Sequence, residues 1–277
     1  MITRPHATAT AVALIAVALT GCAAADPPST GDEHATDMLH VHAIVTTPGG
    51  DGYLLGTHEG IYAATPDGQL GDRVGDEDFD AMGLTVSGED LIASGHPGRD
   101  TSEGLGAGNL GIIRSDDGGI TWDPVAFTGE KDFHALTAAA DGTLYGQATD
   151  SGELLSSTDS GVTWHPTGAT LFTFGLAVDA TGGILAVTPD GLQLSTDGGA
   201  SFATLTDAPK LYAISASPDH QRLVGVDTDG AIWTSTAGSA WQSTGAVHGA
   251  AQAITIADNG DILVVDDSGL SLLRSDR

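Results

Sequence analysis

The sequence predicts an all-β chain folded as a β-propeller of six blades, each a four-stranded antiparallel sheet. Three observations carry this expectation. The stretch Ser115-Asp116-Asp117-Gly118-Gly119-Ile120-Thr121-Trp122 returns at Ser157–Trp164 and at Ser195–Phe202, and all three copies fit S-x-D-x-G-x-[TS]-[WF]. A step of forty residues beyond Ser195 reaches Ser235, where a worn copy ending in Trp241 lacks the Asp, and the next step reaches Arg274-Ser275-Asp276. A period near forty with one turn signature per unit is the mark of stacked blades. The second observation is composition: 39 glycines and 5% aromatic residues suit many short strands and turns. The third is a series of alternating, β-branched runs bounded by Asp-Gly, Gly-Gly and Pro-Asp.

Within the repeat, Ser and Asp can bond the backbone that follows them, Gly supplies the positive φ of a tight turn, and the closing aromatic can wedge between sheets. Each unit therefore reads as strands A, B and C, the repeated turn, and strand D. The first unit has Val41–Thr47, Tyr53–Thr57 and Ile61–Thr65, with Pro66-Asp67-Gly68 as its turn. The second has Met82–Val86, Leu91–Ser94 and Gly111–Ser115, with a Gly-rich, charged insertion from His96 to Asn109. The third has Phe133–Ala139, Thr143–Ala148 and Glu153–Ser157, and the fourth Phe174–Val178, Ile184–Val187 and Leu192–Ser195. The fifth has Leu211–Ser215, Arg222–Val226 and Ala231–Thr234, and the sixth Ala253–Ala257, Ile262–Val265 and Leu270–Arg274. The sixth lacks an outer strand, which a segment near Thr36–Leu39 is expected to supply, because an open outer edge invites aggregation.

Residues 1–21 read as a processing signal: Arg4, then an apolar run from Ala7 to Leu19 that is too short to span a bilayer. Leu19-Thr20-Gly21-Cys22 resembles a bacterial lipobox, which implies cleavage before Cys22, its lipidation, and an anchor on the outer face of the cytoplasmic membrane. Cys22 is the sole cysteine, so an internal disulfide and a cysteine metal site are excluded. Residues 22–37 form the lipidated cysteine and a tether without hydrophobic period, and 38–277 a single propeller domain, expected to be monomeric. A formal charge of −28 argues against a nucleic-acid partner and favours cations.

Antiparallel order puts the D–A and B–C connections at one end of the propeller and the repeated turns at the other. His40, His42, His58, His96 and His134 all fall at the first end, and His248 can join them. Alternation along a strand sends His40 and His42 to one side. A set of imidazoles suits a transition-metal ion such as copper or zinc, with Glu59 and Asp80 as supplementary or supporting ligands. No cofactor beyond a metal ion is expected.

The repeats resemble the Asp-box (BNR) repeats of sialidases, other secreted glycosidases and many propellers without catalytic activity. More narrowly, His40-Val41-His42, Gly56–Tyr62, Met82–Val86, Ala93–Pro97, Asn109–Ile113 and Asp132–Leu136 resemble a family of exported bacterial propellers commonly labelled glycosyl hydrolases of the BNR type. That resemblance implies the fold. A sialidase is not expected: it needs a three-arginine clamp, and Arg114, Arg222 and Arg274 fall at the Asp-box end. Two alternatives to cation binding remain at this point: a glycosidase using two carboxylates of the rim, at the separations such enzymes require, or a propeller whose rim grips a protein partner.

Overall fold

A computed structural model describes residues 39–236 and 239–275. The signal segment, Cys22, the tether and the proposed closing residues Thr36–Met38 lie outside the described residues. Leu39, the last residue of that proposed segment, has no strand assignment.

Six antiparallel sheets follow one another along the chain. The first holds β1 (Val41–Thr46), β2 (Tyr53–Thr57), β3 (Gly60–Ala64) and β4 (Leu70–Val74). The second holds β5 (Asp80–Ser87), β6 (Asp90–His96), β7 (Ile112–Ser115) and β8 (Asp123–Ala126). The third is β9 (Phe133–Ala138), β10 (Leu144–Ala148), β11 (Glu153–Ser157) and β12 (His165–Thr170). The fourth is β13 (Gly175–Val178), β14 (Ile184–Thr188), β15 (Gly191–Ser195) and the two-residue β16 (Ala203–Thr204). The fifth is β17 (Leu211–Ala216), β18 (Arg222–Asp227), β19 (Ala231–Thr236) and β20 (Gln242–Ala246). The sixth has three strands among the described residues, β21 (Ala253–Ile256), β22 (Ile262–Asp266) and β23 (Gly269–Leu273).

The Asp-box residues act as the turn chemistry demands. Ser115 Oγ donates to Asp117 Oδ1 at 2.8 Å and accepts from Gly119 N at 2.8 Å, while Asp117 accepts from Thr121 N and Thr121 Oγ1 at 2.9 and 2.7 Å. The same bonds recur around Ser157/Asp159 and Ser195/Asp197. The hydroxyl and N–H of Thr163, with the Ser157 hydroxyl, hold the Asp159 carboxyl at about 2. The fifth blade, lacking the Asp, closes its turn with Ser235 Oγ donating to Ser239 O at 2.8 Å.

The core lies between sheets. One apolar cluster joins each neighbouring pair of blades, and Trp122 packs edge-on to Phe79 in the cluster between blades one and two. The ring closes where Val41, Ile44, Tyr53 and Leu55 meet Ala253, Leu263 and Val265. At that seam Val41 N donates to Gln252 Oε1 at 2.8 Å, and Arg274 bridges Asp67 of the first blade and Asp261 of the sixth. The six inner strands, one per blade, line a central cavity of about 790 Å3.

Candidate metal centre

Strand direction brings the amino ends of β1, β5 and β9 and the carboxyl ends of β2 and β6 to one mouth of the central cavity. His40 precedes β1 and His42 lies within it, and a register shift between Val41 and Ala43 breaks regular alternation there. His58 follows β2, and its N–H bonds to His40 O at 3.3 Å, extending the ladder beyond the strand. Asp80 opens β5 on the next blade.

These four side chains meet at the junction of blades one and two. The ring centroids of His40, His42 and His58 lie 4.5–5.0 Å apart, and one ligand atom from each falls within 4.8 Å of the others. His58 Nδ1 is 2.8 Å from Asp80 Oδ2, and His42 Nε2 is 3.1 Å from Asp80 Oδ1 and 3.4 Å from His58 Nδ1. Asp80 Oδ1 is buried and makes no aligned hydrogen bond despite that nearby nitrogen. Burial pushes the Asp80 pKa up, but the bonds and charges of His42 and His58 outweigh it and hold the carboxyl below its ordinary value. Burial, with His42 and His58 close by, lowers the His40 pKa, which favours a neutral ring with a free lone pair.

A separate group forms at the junction of blades two and three. His96, at the end of β6, and His134, in β9, both approach Asp132 Oδ2, at 3.2 and 2.6 Å respectively. The mutual approach of the two blades depends on Gly83 of β5, where a Cβ would stand 2.4 Å from Phe133 O. Within blade two, one residue before His96, Gly95 at φ +149° passes so close to Asp80 O on the paired strand that a Cβ there would stand 1.8 Å away. The two groups are adjacent, since Asp80 and His96 are partners across β5 and β6.

The five expected histidines thus gather at one end but in two groups rather than one. Glu59 is exposed and belongs to neither group. His248 also stands apart, exposed, with Asp266 Oδ2 at 3.9 Å as its nearest acid. Asp132 was missed as a candidate, although its spacing from His134 is the i, i+2 spacing that singled out His40 and His42.

The sequence profile of the BNR/Asp-box repeat matches residues 113–124, which run from the end of β7 through the turn into β8. The chain is a β-propeller that carries Asp-box turns. No curated protein matches its sequence. Among solved structures, this Asp-box propeller is similar to the extracellular domain of BT4673 from B. thetaiotaomicron, with a TM-score of 0.55 and 13% identity. That match covers 86% of this chain and 33% of that one, so the propeller spans about a third of the other's length. It is also similar to XC5397 from Xanthomonas campestris, a gluconolactonase, at TM-score 0.65 and 12% identity over 85% of this chain and 86% of that one. A GH74 enzyme from Niastella koreensis matches at TM-score 0.55 and 17% identity over 86% and 38%. At these identities the likeness is one of fold. In the Asp-box propeller Arg114 lies 4.0 Å from Asp90, Arg222 donates to Asp258 O, and Arg274 is held by Asp67 and Asp261, all away from the histidine mouth.

Proposed function

We propose that the Asp-box propeller binds a transition-metal ion, copper or zinc, through His40, His42, His58 and Asp80, on the outer face of a membrane to which lipidated Cys22 ties it. The observation carrying the metal reading is the convergence of three imidazoles and one carboxylate: the donor atoms of His42, His58 and Asp80 stand 2.8–3.4 Å apart, a His40 nitrogen lies within 4.8 Å of those of His42 and His58, and a buried carboxylate oxygen makes no aligned hydrogen bond. Four donors about 2.1 Å from a tetrahedral ion stand roughly 3.4 Å from one another, and the His42, His58 and Asp80 atoms already stand close to that spacing. Nitrogen-rich donor sets favour zinc, copper, nickel or iron over calcium or magnesium. The net charge of −28 raises the local concentration of cations around the domain.

The glycosidase alternative needs two carboxylates free to flank a glycosidic bond. Asp80 and Asp132 are each engaged by imidazoles, and that engagement favours cation binding over hydrolysis.

The test is equilibrium dialysis of chelator-stripped protein against copper and then zinc. Saturable binding of at least one equivalent per chain is expected, and no saturable binding of either ion would sink the reading. The anchoring half is checked by mass spectrometry of the mature amino terminus, which should begin at Cys22 and carry added acyl mass. An unmodified Cys22 would contradict it.

A further inference from the structure

The second group, at the junction of blades two and three, poses a chemical problem of its own. His96 Nδ1 lies 3.3 Å from the carbonyl oxygen of Gly108, near the end of the insertion that follows β6. A carbonyl oxygen only accepts, so Nδ1 carries the proton in that bond. In a neutral ring the Nε2 lone pair is then directed into the space where Asp132 Oδ2 stands, 3.2 Å away. Two acceptors, one of them anionic, would face each other there.

Asp132 adds a second problem. Its side chain is 3% exposed, and its Oδ1 is buried with no hydrogen-bond partner among the described residues. The neighbouring ammonium does not help, because Lys131 Nζ reaches Asp150 at 2.8 Å instead. A buried carboxylate oxygen without a partner is costly, because it has lost its water and gained no bond in return. An extra proton on His96 would relieve the contact at Oδ2 and leave Oδ1 as it is. A divalent cation would satisfy the Nε2 lone pair and Oδ2 together, would satisfy Oδ1 as well when the carboxylate binds it through both oxygens, and would convert the Nδ1–Gly108 bond into the support that metal-bound imidazoles usually have.

We propose that His96, Asp132 and His134 form a second, separate divalent-cation site, built from two imidazoles and one carboxylate. It differs in kind from the first. Four donors converge at the junction of blades one and two, where the His42 side chain is only 12% exposed. Here there are three donors, and both imidazoles are more than 40% exposed. Three protein donors leave coordination positions open, the arrangement of metal sites that exchange a water or a small ligand. His134 also lines the central cavity, so those open positions lie at its mouth.

The backbone is arranged to hold this geometry. Phe133 N donates to Ser94 Oγ at 2.9 Å, tying the residue between Asp132 and His134 to the strand that ends in His96. Thr149 N donates to Asp132 O at 2.9 Å from the other side.

The two sites share no ligand, so their tests separate. Chelator-stripped protein dialysed against zinc should bind two equivalents per chain. Asp132→Asn should bind one, and the double variant His42→Ala, His58→Ala should also bind one. An Asp132→Asn protein that still binds two equivalents overturns the second site. A double variant that still binds two overturns the first and leaves the second standing. Should Asp132→Asn fail to fold, long-range 1H–15N spectra of the wild-type histidine rings decide the matter. Zinc should shift the Nε2 resonances of both His96 and His134, and unmoved resonances overturn the proposal.

Discussion

Replacing His42 by alanine is expected to lower metal affinity at the first group by at least about 100-fold, with little change in melting temperature. His42 Nε2 stands between two other donors, 3.1 Å from Asp80 Oδ1 and 3.4 Å from His58 Nδ1. Its removal takes away one of four donors and also leaves Asp80 Oδ1 without a neighbouring nitrogen. Losing even a supporting residue of a metal site costs 10–100-fold, and a direct ligand should cost no less. The fold should tolerate the change because His42 belongs to none of the six apolar clusters. Isothermal titration with zinc or copper, run beside thermal melts, separates the two effects. Unchanged affinity would remove His42 from the site, and a collapse in stability would show that the ring is structural first.

Phe133→Ala is expected to show the opposite pattern. Phe133 is fully buried and packs with Ile92, Ile112, Leu136 and Leu144 between blades two and three, with the Trp164 ring at 5.3 Å. Truncating a buried Phe costs about 3–5 kcal/mol, and for a domain of this size that lowers the melting temperature by roughly 6–20 °C. Because Phe133 sits between Asp132 and His134, zinc binding at the second group should weaken as well. The first group, built by the other face of blade two, should retain its affinity. Melting curves with site-resolved zinc titration check this, and equal weakening of both groups would show that the blades yield together.

Much of this was legible in the sequence. The Asp-box spacing gave the blade period, because Ser, Asp, Gly and Thr in fixed order specify one hydrogen-bonded turn wherever they occur. Strand direction then put five distant histidines at one end. What strand direction does not specify is which blade junction each side chain enters. That is decided by how closely neighbouring sheets approach, through contacts such as Gly83 beneath Phe133 O, which link residues fifty positions apart with no local signature. The register shift in β1 is equally silent, and it is part of why His40 and His42 meet at 4.8 Å with rings 68° apart. Asp132 was readable in principle. It lies two residues before His134, but acidic residues crowd the whole chain and none stands out in isolation. Glu59 is the converse case: it adjoins His58 in sequence, yet adjacency along a turn does not make two side chains point together.

The seam of the ring also bears on how the protein assembles. The bond from Val41 to Gln252 joins positions 211 residues apart, whereas every donor of both groups lies between His40 and His134. Contacts close in sequence form early and distant ones late. An emerging chain can therefore gather its imidazoles while the circle is still open, and latching first blade to last becomes a later, separate event.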